Sequence, residues 1–166
     1  MRIVPREPQW LDAAQQRTWR ALVIGNTLLM DQLEADLRRD HQISMTEYEI
    51  LVRLSESPGR AMRMARLADS LAHSRSRVTH TVGRMEASGL VQRADSPEDG
   101  RGVVCQMTEK GFALLESAAG THVAGVRRYL VDVADPEDYA AMGRVMNAVC
   151  DELIGNRPGW EIRAPE

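Results

Sequence analysis

The amino-acid sequence predicts a mainly α-helical fold with a small β-hairpin wing, in which a winged helix-turn-helix lobe is attached to a helical body. Apolar residues recur at spacings of three and four along most of the chain, which indicates amphipathic helices. Two helical segments meet at a tight turn near position 72, as is typical of a helix-turn-helix. Directly after them, two short apolar runs flank the turn-forming stretch SPEDGRG, which predicts a hairpin.

The first two helices are predicted from apolar periodicity and from a capping signal. The first runs from Pro8 to about His41, where tryptophan and leucine recur at helical spacing. The second begins after Ser44, because Ser44 and Glu47 have the spacing of a capping box and each side chain can bond the other residue's backbone. It ends at the Ser-Pro-Gly sequence of residues 57–59.

The next segments supply the helix-turn-helix and the hairpin. A short helix is predicted at Met64–Leu71, and a second starts at Ser74, whose hydroxyl can cap it, and ends by Gly89. The hairpin strands are predicted around Leu90–Val91 and Val103–Cys105.

Two further helices are predicted after the hairpin. Thr108 caps the first of them, which runs to about Val133. Asp135 caps the last helix, since Pro136 follows at the first helical position and acidic residues occupy the first turn, where the helix dipole favours them. This helix ends before Gly155.

The charge is distributed unevenly along the chain. The net charge is −3, but residues 60–101 hold eight arginines and five acidic residues, so this region carries +3 and the remainder −6. A basic middle predicts a local contact with a polyanion, although an excess of three charges also arises by chance. No run approaches the roughly 18 apolar residues of a membrane span, the N-terminus does not resemble a secretory signal, and two cysteines suit a reducing compartment. We therefore expect a cytoplasmic protein with no membrane association.

The helix that follows Ser74 is predicted to have one packing side and one polar side. At about 100° per residue, Val78, Val82 and Met85 share a face. The opposite side lacks carboxylates and presents hydroxyl, imidazole and guanidinium groups, which can donate to phosphates and base edges. A solvated surface is the alternative interpretation. Gly83 favours the DNA-binding interpretation. Glycine in a helix costs about 1 kcal/mol relative to alanine, and close approach of the helix to a DNA groove would explain why glycine is present.

The stretch SPEDGRG is predicted to form the tip of the wing. Arg101 would enter the minor groove, where narrow A·T tracts attract guanidinium groups, and Asp99 would hold Arg101 in place. Gly100 and Gly102 permit a tight turn. Taken alone, such a stretch is more often an ordinary turn, but beside a helix with a polar face it is better explained as a wing.

These segments resemble those of MarR-family transcriptional regulators over nearly the whole chain. The resemblance rests on the sequences ISMTEYEIL at 43–51, MARLA at 64–68, SRSRVT at 74–79, RME at 84–86, GLV at 89–91, PEDGR at 97–101 and MTEKG at 107–111. It implies a triangular homodimer that binds double-stranded DNA through a winged helix-turn-helix in each subunit. It also implies that the protein usually represses genes and is often released by small aromatic or phenolic ligands. The family's wing commonly reads Asp-Arg-Arg, whereas residue 100 is glycine here, so one phosphate contact is lost.

On this basis we expect three regions in the chain. Residues 1–43 form an N-terminal dimerisation helix, 44–107 the DNA-binding lobe and 108–166 the C-terminal dimerisation helices. Separate apolar stripes at both ends of a small chain support a homodimer, because they need more partners than one subunit provides. The residues expected to bind DNA are Ser74, Arg75, Ser76, Arg77, Thr79, His80, Arg84, Asp99 and Arg101.

An effector pocket is predicted between the helical body and the DNA-binding lobe. The candidate residues are Trp10, Trp19, Arg20, Tyr48 and His122. Indole and phenol rings suit an aromatic ligand, and an arginine suits its carboxylate. The alternative is that the tryptophan and tyrosine residues, which lie at helical spacing, serve only in packing.

Other classes of function are less well supported by the sequence. The four histidines lack the spacing of metal ligands, and Cys105 and Cys150 resemble small buried apolar residues, so neither a metal site, a cofactor nor a reactive thiol is expected. No nucleophile with its base, carboxylate pair or phosphate loop is found, so we expect no catalytic residues and no enzyme. A winged-helix module that binds protein without binding DNA is the alternative left open.

Overall fold

The computed structural model describes residues 8–95 and 102–154. Within this part of the chain there are six α-helices and three β-strands, so the predicted mainly helical class with a small sheet is confirmed. The helices are α1 (Ala13–His41), α2 (Met45–Ser55), α3 (Met64–Ser70), α4 (Arg75–Ala87), α5 (Glu109–Val126) and α6 (Pro136–Ile154). The strands are β1 (Ala61–Arg63), β2 (Val91–Asp95) and β3 (Val103–Met107).

The first helix begins at Ala13, five residues later than the predicted start at Pro8. Asp12 is the N-cap, and its Oδ1 accepts hydrogen bonds from the backbone N–H groups of Ala14 and Gln15, both at 2.8 Å. The Gln15 side chain in turn accepts from the Asp12 N–H at 3.0 Å. This capping box satisfies donors that a helix start otherwise leaves unpaired, and it sets the boundary where periodicity alone did not.

The four N-caps that the sequence predicts, Ser44, Ser74, Thr108 and Asp135, are confirmed. At each of them a side-chain oxygen accepts a hydrogen bond from a backbone N–H in the first turn of the helix. The bonding at Ser44 is reciprocal, because its N–H donates to Glu47 Oε2 at 2.8 Å. These contacts explain why α2, α4, α5 and α6 begin where the sequence predicts.

The three strands form one antiparallel sheet in the order β1-β3-β2. β2 and β3 are the arms of the predicted hairpin, with Val91 opposite Met107. β1 is not predicted by the sequence, since three residues carry too little pattern, and it pairs with the other edge of β3, where Met62 lies opposite Cys105. The hairpin is therefore anchored to the rest of the lobe through β1.

The hydrophobic core lies between α2, α3, α4, the sheet and the inner sides of α1 and α5. Its fully buried side chains include Leu37, Ile50, Leu54, Val82 and Cys105. Burial of each leucine or isoleucine contributes roughly 1.5–3 kcal/mol relative to an exposed side chain. The helix-turn-helix and the C-terminal part of α1 thus share one core.

The segment after Thr108 is predicted as one helix to about Val133. In the structure α5 ends at Val126, and a π-helical turn over Arg127–Val131 follows it directly. Tyr129 in that turn donates to Asp36 of α1 at 3.0 Å. Burial alone raises the pKa of Asp36, but hydrogen bonds from Tyr129, Arg39 and Gln32 outweigh it and hold the pKa below its ordinary value. The turn thereby fastens α5 to α1 through a buried carboxylate.

Candidate nucleic-acid interface

α3 and α4 form a helix-turn-helix with a four-residue connection, residues 71–74. The chain reverses at Ala72, whose φ of 51° is left-handed, and the His73 N–H returns to the Ala68 carbonyl at 3.2 Å. Ser74 then caps α4 by accepting from the Arg77 N–H at 3.3 Å. This geometry fixes the direction in which α4 leaves the turn.

The packing side of α4 is the predicted one. Val78, Val82 and Met85 are buried against the core, and Thr81 is buried with them. The residues expected to bind DNA from this helix are all exposed: Ser74, Arg75, Ser76, Arg77, Thr79, His80 and Arg84. One continuous polar face is therefore open to a macromolecular partner.

The polar face contains side chains that are free and side chains that are held. Within residues 8–95 and 102–154, Arg75, Ser76, Thr79 and His80 have no side-chain hydrogen bond or ion pair, so their donors are available. Arg77 and Arg84 differ, because each reaches back to α2. These backing contacts were not predicted, since helical periodicity identifies a face but not what lies behind it.

The first turn of α2 supplies both backing contacts. Arg77 Nη2 donates to Thr46 Oγ1 at 3.1 Å, and Arg84 Nη2 lies 3.7 Å from Glu47 Oε1. Thr46 is buried, with 8% of its surface exposed. Glu47 therefore both caps α2 and faces Arg84: its Oε2 accepts from the backbone N–H and hydroxyl of Ser44, while its Oε1 lies beside the Arg84 guanidinium.

The carboxylate near the end of α4, Glu86, is turned toward the wing. It accepts from the Arg93 N–H at 2.8 Å and from Arg93 Nη2 at 2.6 Å, which joins α4 to β2. The hydrogen bonds from Arg93 hold the pKa of Glu86 below its ordinary value. Because Arg93 pairs with the Glu86 carboxylate, the negative charge of Glu86 is offset locally and the exposed face of α4 stays positively charged.

Gly83 lies on the polar side of α4 and is partly buried. A Cβ built at this position meets no atom within 4 Å. Packing within the described chain therefore does not require glycine here. The predicted reason, close approach to a DNA groove, stays a prediction.

The predicted wing residues Asp99 and Arg101 lie outside the described residues. The described part of the wing consists of β2 and β3, which leave the core side by side beyond the C-terminal end of α4.

A separate cavity of about 410 Å³ lies between α1, α2 and α5. Its lining is mostly apolar, with Leu29, Leu33, Val52, Leu71 and Val126 among its walls. Polar groups are few: Tyr48, Glu49, Arg53, Ser70 and His122. A volume of this size and a small set of convergent polar groups are typical of a small-molecule site.

Two of the five predicted effector residues, Tyr48 and His122, meet in this cavity. Their ring centroids are 4.7 Å apart and the rings are tilted by 35°. Nδ1 of His122 is buried and has no hydrogen-bond partner among the described residues. Burial lowers the pKa of His122 and raises that of Tyr48, so both side chains are neutral at pH 7. An unpaired ring nitrogen in an apolar wall is a place where a ligand hydroxyl would be stabilised.

The other three predicted effector residues, Trp10, Trp19 and Arg20, do not line the cavity. All three are exposed, and Trp10 and Trp19 are 84% and 55% exposed. The reason is the length of α1, which is buried only around Leu33, Asp36 and Leu37. At a rise of about 1.5 Å per residue, Trp19 lies about 20 Å along the axis from Leu33.

Two further expectations concern metals and thiols. Within the described ranges, no group of three or more histidine, cysteine, aspartate or glutamate residues is placed to hold a metal ion. Cys105 is fully buried, and burial raises the pKa of its thiol to about 12, which is typical of a packing residue. Among the described helices, none has the length and apolar character needed to cross a membrane.

Comparison with known proteins gives one consistent family. The sequence model of the MarR family matches residues 41–102. The HTH-type transcriptional regulator PecS of Dickeya dadantii (strain 3937) is 27% identical over 141 residues, which cover 82% of this chain and 84% of that protein.

Solved structures extend the likeness to the full fold. The MarR family transcriptional regulator Sco3205 of Streptomyces coelicolor, crystallised in complex with DNA, is 39% identical with a TM-score of 0.87, covering 90% of this chain and 94% of that chain. AbsC, a MarR family regulator of the same organism, is also 39% identical, with a TM-score of 0.84 and coverage of 90% and 100%. These relatives are regulators and not enzymes, and a DNA complex among them does not support a module without DNA binding. The chain is therefore a winged helix-turn-helix transcriptional regulator, and it belongs to the MarR family.

Proposed function

We propose that this regulator is a homodimeric repressor that binds pseudo-palindromic double-stranded DNA and is released by a small aromatic or phenolic effector. In this proposal residues 44–107 bind DNA, and residues 1–43 and 108–166 form the dimer. The observation that carries it is the polar face of α4, which is free of carboxylates and exposes four side chains that have no hydrogen-bond partner among the described residues.

The DNA contacts are assigned to α4 and to the wing. Arg75, Arg77 and Arg84 supply guanidinium groups, Ser74, Ser76, Thr79 and His80 supply further donors, and Asp99 positions Arg101 at the wing tip. Guanidinium groups bind phosphates and can pair with guanine through two hydrogen bonds. The DNA complex of Sco3205, which is 39% identical, supports DNA binding by a chain of this fold.

Dimerisation is supported by apolar surface that the single chain leaves uncovered. α6 contains no buried residue, and Val145, Val149 and Leu153 form an exposed stripe at a spacing of four. The N-terminal half of α1 likewise exposes Trp19 and Ile24. Large exposed apolar surfaces mark interaction sites, and a second copy of the same chain provides matching helices through two-fold symmetry.

The effector is assigned to the cavity that contains Tyr48 and His122. A phenol hydroxyl can both donate and accept, so it can pair with His122 Nδ1 in either tautomer while its ring contacts Tyr48 and the apolar walls. A structural relative at 13% identity was solved with bound 2,4-dichlorophenol, which supports the class of ligand but not its identity.

Glu49 provides a path from this cavity to the DNA-binding helix. It lines the effector cavity and also a smaller one of about 210 Å³ that is bordered by His73 and Arg77. Its Oε2 lies 3.7 Å from His73 Nε2, one residue before the cap of α4. A ligand that displaces Glu49 would therefore change contacts at the start of α4.

Selection from a random duplex library, followed by sequencing of the bound fragments, tests the DNA-binding part of the proposal. We expect an inverted repeat with half-sites about 10 bp apart, as two symmetry-related recognition helices require. With 6–10 phosphates contacted, affinity for that duplex should fall by about 10³–10⁵ between 50 and 200 mM salt. Arg144→Ala, which removes an exposed charge from α6, is the control and should bind as the unmodified chain does. A flat salt profile or the absence of a repeated motif would contradict the proposal.

The effector part is tested separately by titrating phenol, 2,4-dichlorophenol and benzoate into the protein–DNA complex. At least one phenol should dissociate the complex, and His122→Phe, which keeps the ring but removes Nδ1, should weaken that response. Trp19→Phe lies outside the cavity and should respond as the unmodified chain does. A response that His122→Phe leaves unchanged would place the effector elsewhere.

A further inference from the structure

The hydroxyl of Thr46 connects two helices that meet beneath the DNA-binding face. It is one of few buried polar groups in the described chain, and it accepts a hydrogen bond from Arg77 Nη2 at 3.1 Å. Thr46 lies in the first turn of α2 and Arg77 in the first turn of α4, so the contact spans two separate helices.

Arg77 is consequently anchored at both ends. Its backbone N–H donates to Ser74 Oγ in the cap of α4, and its guanidinium donates to Thr46. A guanidinium has five N–H donors, so one bond to Thr46 leaves the others available to a base. The Thr46 hydroxyl is neutral, so this hydrogen bond adds no negative charge to the electrostatic attraction that the nearby Glu49 carboxylate already exerts on Arg77.

We propose that Thr46 is a positioning residue for DNA sequence recognition: without touching DNA, it holds the Arg77 guanidinium in the direction needed to read a base pair. The inference rests on the proposed function, in which Arg77 contacts a base edge. Ordering a long side chain opposes binding, and an arginine already ordered in the free protein loses less conformational freedom when it meets the groove.

A purely structural role for Thr46 makes different predictions. Thr46 is nearly buried, so loss of its hydroxyl could lower stability and weaken every DNA complex alike. A positioning role instead requires a selective loss, confined to the duplex that Arg77 reads. Thr46→Val is the informative change because valine has almost the same shape and lacks only the hydroxyl that accepts from Arg77.

The experiment compares Thr46→Val, Thr46→Ser, Arg77→Ala and the Thr46→Val/Arg77→Ala double variant by fluorescence anisotropy. Two duplexes are used, the one enriched from the random library and a scrambled duplex of the same composition. Thr46→Val should weaken binding to the enriched duplex by about two- to tenfold and leave the scrambled duplex unchanged. Thr46→Ser should restore binding, and the double variant should match Arg77→Ala.

Thr121→Val is the matched control, because its hydroxyl contacts His41 Nε2 at 2.8 Å and joins α1 to α5 away from α4. It should leave discrimination between the duplexes intact. If Thr46→Val does not fold, Thr46→Ala removes the same acceptor and is read in the same way.

Each alternative result has a distinct meaning. If Arg77→Ala loses discrimination and Thr46→Val does not, the positioning role is wrong while the proposed function stands. If neither variant loses discrimination, Arg77 does not read a base, and both the positioning role of Thr46 and the base contact assigned to Arg77 are wrong. Equal weakening on both duplexes would assign Thr46 a structural role only.

Discussion

Replacement of Gly83 by alanine should stabilise the folded chain and weaken its binding to DNA. Gly83 lies inside α4, and a Cβ built there meets no atom within 4 Å. Alanine is therefore accommodated without strain, and its higher helix propensity should add about 0.5–1 kcal/mol to the free energy of unfolding. For a chain of this size, the melting temperature should rise by about 2–4 °C per kcal/mol.

The effect on DNA binding should have the opposite sign. Gly83 shares the polar side of α4 with Ser76, His80 and Arg84, so a methyl group at this position would point into the interface. Adding a methyl group to a closely packed contact costs roughly 1–3 kcal/mol. The dissociation constant for the enriched duplex should rise by about 5- to 150-fold.

Thermal unfolding and anisotropy titration of the same protein preparation measure both effects. Gly120→Ala is the control, because Gly120 lies in α5 and a Cβ there also meets nothing within 4 Å. It should show the gain in stability without the loss of affinity. If Gly83→Ala binds DNA as tightly as the unmodified chain, the groove does not approach α4 at this point. If it lowers the melting temperature, the space beside Gly83 does not accommodate a methyl group.

Three further predictions address the dimer, the cavity and the wing. Val149→Asp should raise the dimer dissociation constant at least tenfold in sedimentation velocity, whereas Ala140→Asp, on the opposite side of α6, should leave it unchanged. The Val149 side chain is 45% exposed in one chain, and burying that surface contributes roughly 0.7–1.4 kcal/mol on each side of a two-fold interface. Burial lowers the pKa of His122 below its ordinary 6.5, so the stability that the neutral imidazole contributes is present above pH 6.5 and is lost as the pH falls through the lowered pKa. In chemical denaturation, His122→Phe should reduce this loss of stability at acidic pH, and an unchanged pH profile would show that His122 does not cause it. Arg101→Ala should weaken binding to the enriched duplex more strongly than to scrambled DNA, and Asp99→Ala should reproduce part of that loss. If Arg101→Ala binds DNA as the unmodified chain does, SPEDGRG is an ordinary turn.

The accuracy of the sequence-based predictions depended on how local the determining contacts are. The polar face of α4 follows from the spacing of Val78, Val82 and Met85, and the caps at Ser44 and Ser74 depend on residues three positions away. Signals of this kind are contained within one helical turn, so the sequence alone is sufficient to find them.

The missed features depend on distant partners. β1 is a strand only because β3 lies beside it, more than forty residues later in the chain. The cavity could not be outlined from aromatic residue type, since Trp19 lies on the exposed N-terminal half of α1 whereas Tyr48 of α2 lines the cavity, and this difference arises only from how the helices pack. The sequence around Asp36 carries no signal that this residue is buried, because its partner Tyr129 lies in the π-helical turn, more than ninety residues later in the chain.

The distinction between free and held cations on α4 leads to a final prediction about how affinity and specificity are divided. A contact with guanine through two hydrogen bonds requires a guanidinium of fixed direction, whereas phosphate contacts tolerate a range of geometries. Arg77 is held by Thr46, and Arg75 has no partner among the described residues. We therefore expect Arg75→Ala to weaken binding to enriched and scrambled duplexes alike and to reduce the slope of log affinity against log salt by about 1.

Arg77→Ala should instead reduce the preference for the enriched duplex, by about 1–3 kcal/mol if it makes a bidentate contact to guanine. Both variants remove one positive charge from the same turn of the same helix, so a general electrostatic effect would change them equally. Salt titrations of the two variants on both duplexes separate these possibilities. Equal salt slopes and equal losses of preference would show that the tether between Arg77 and Thr46 has no bearing on how the helix reads DNA.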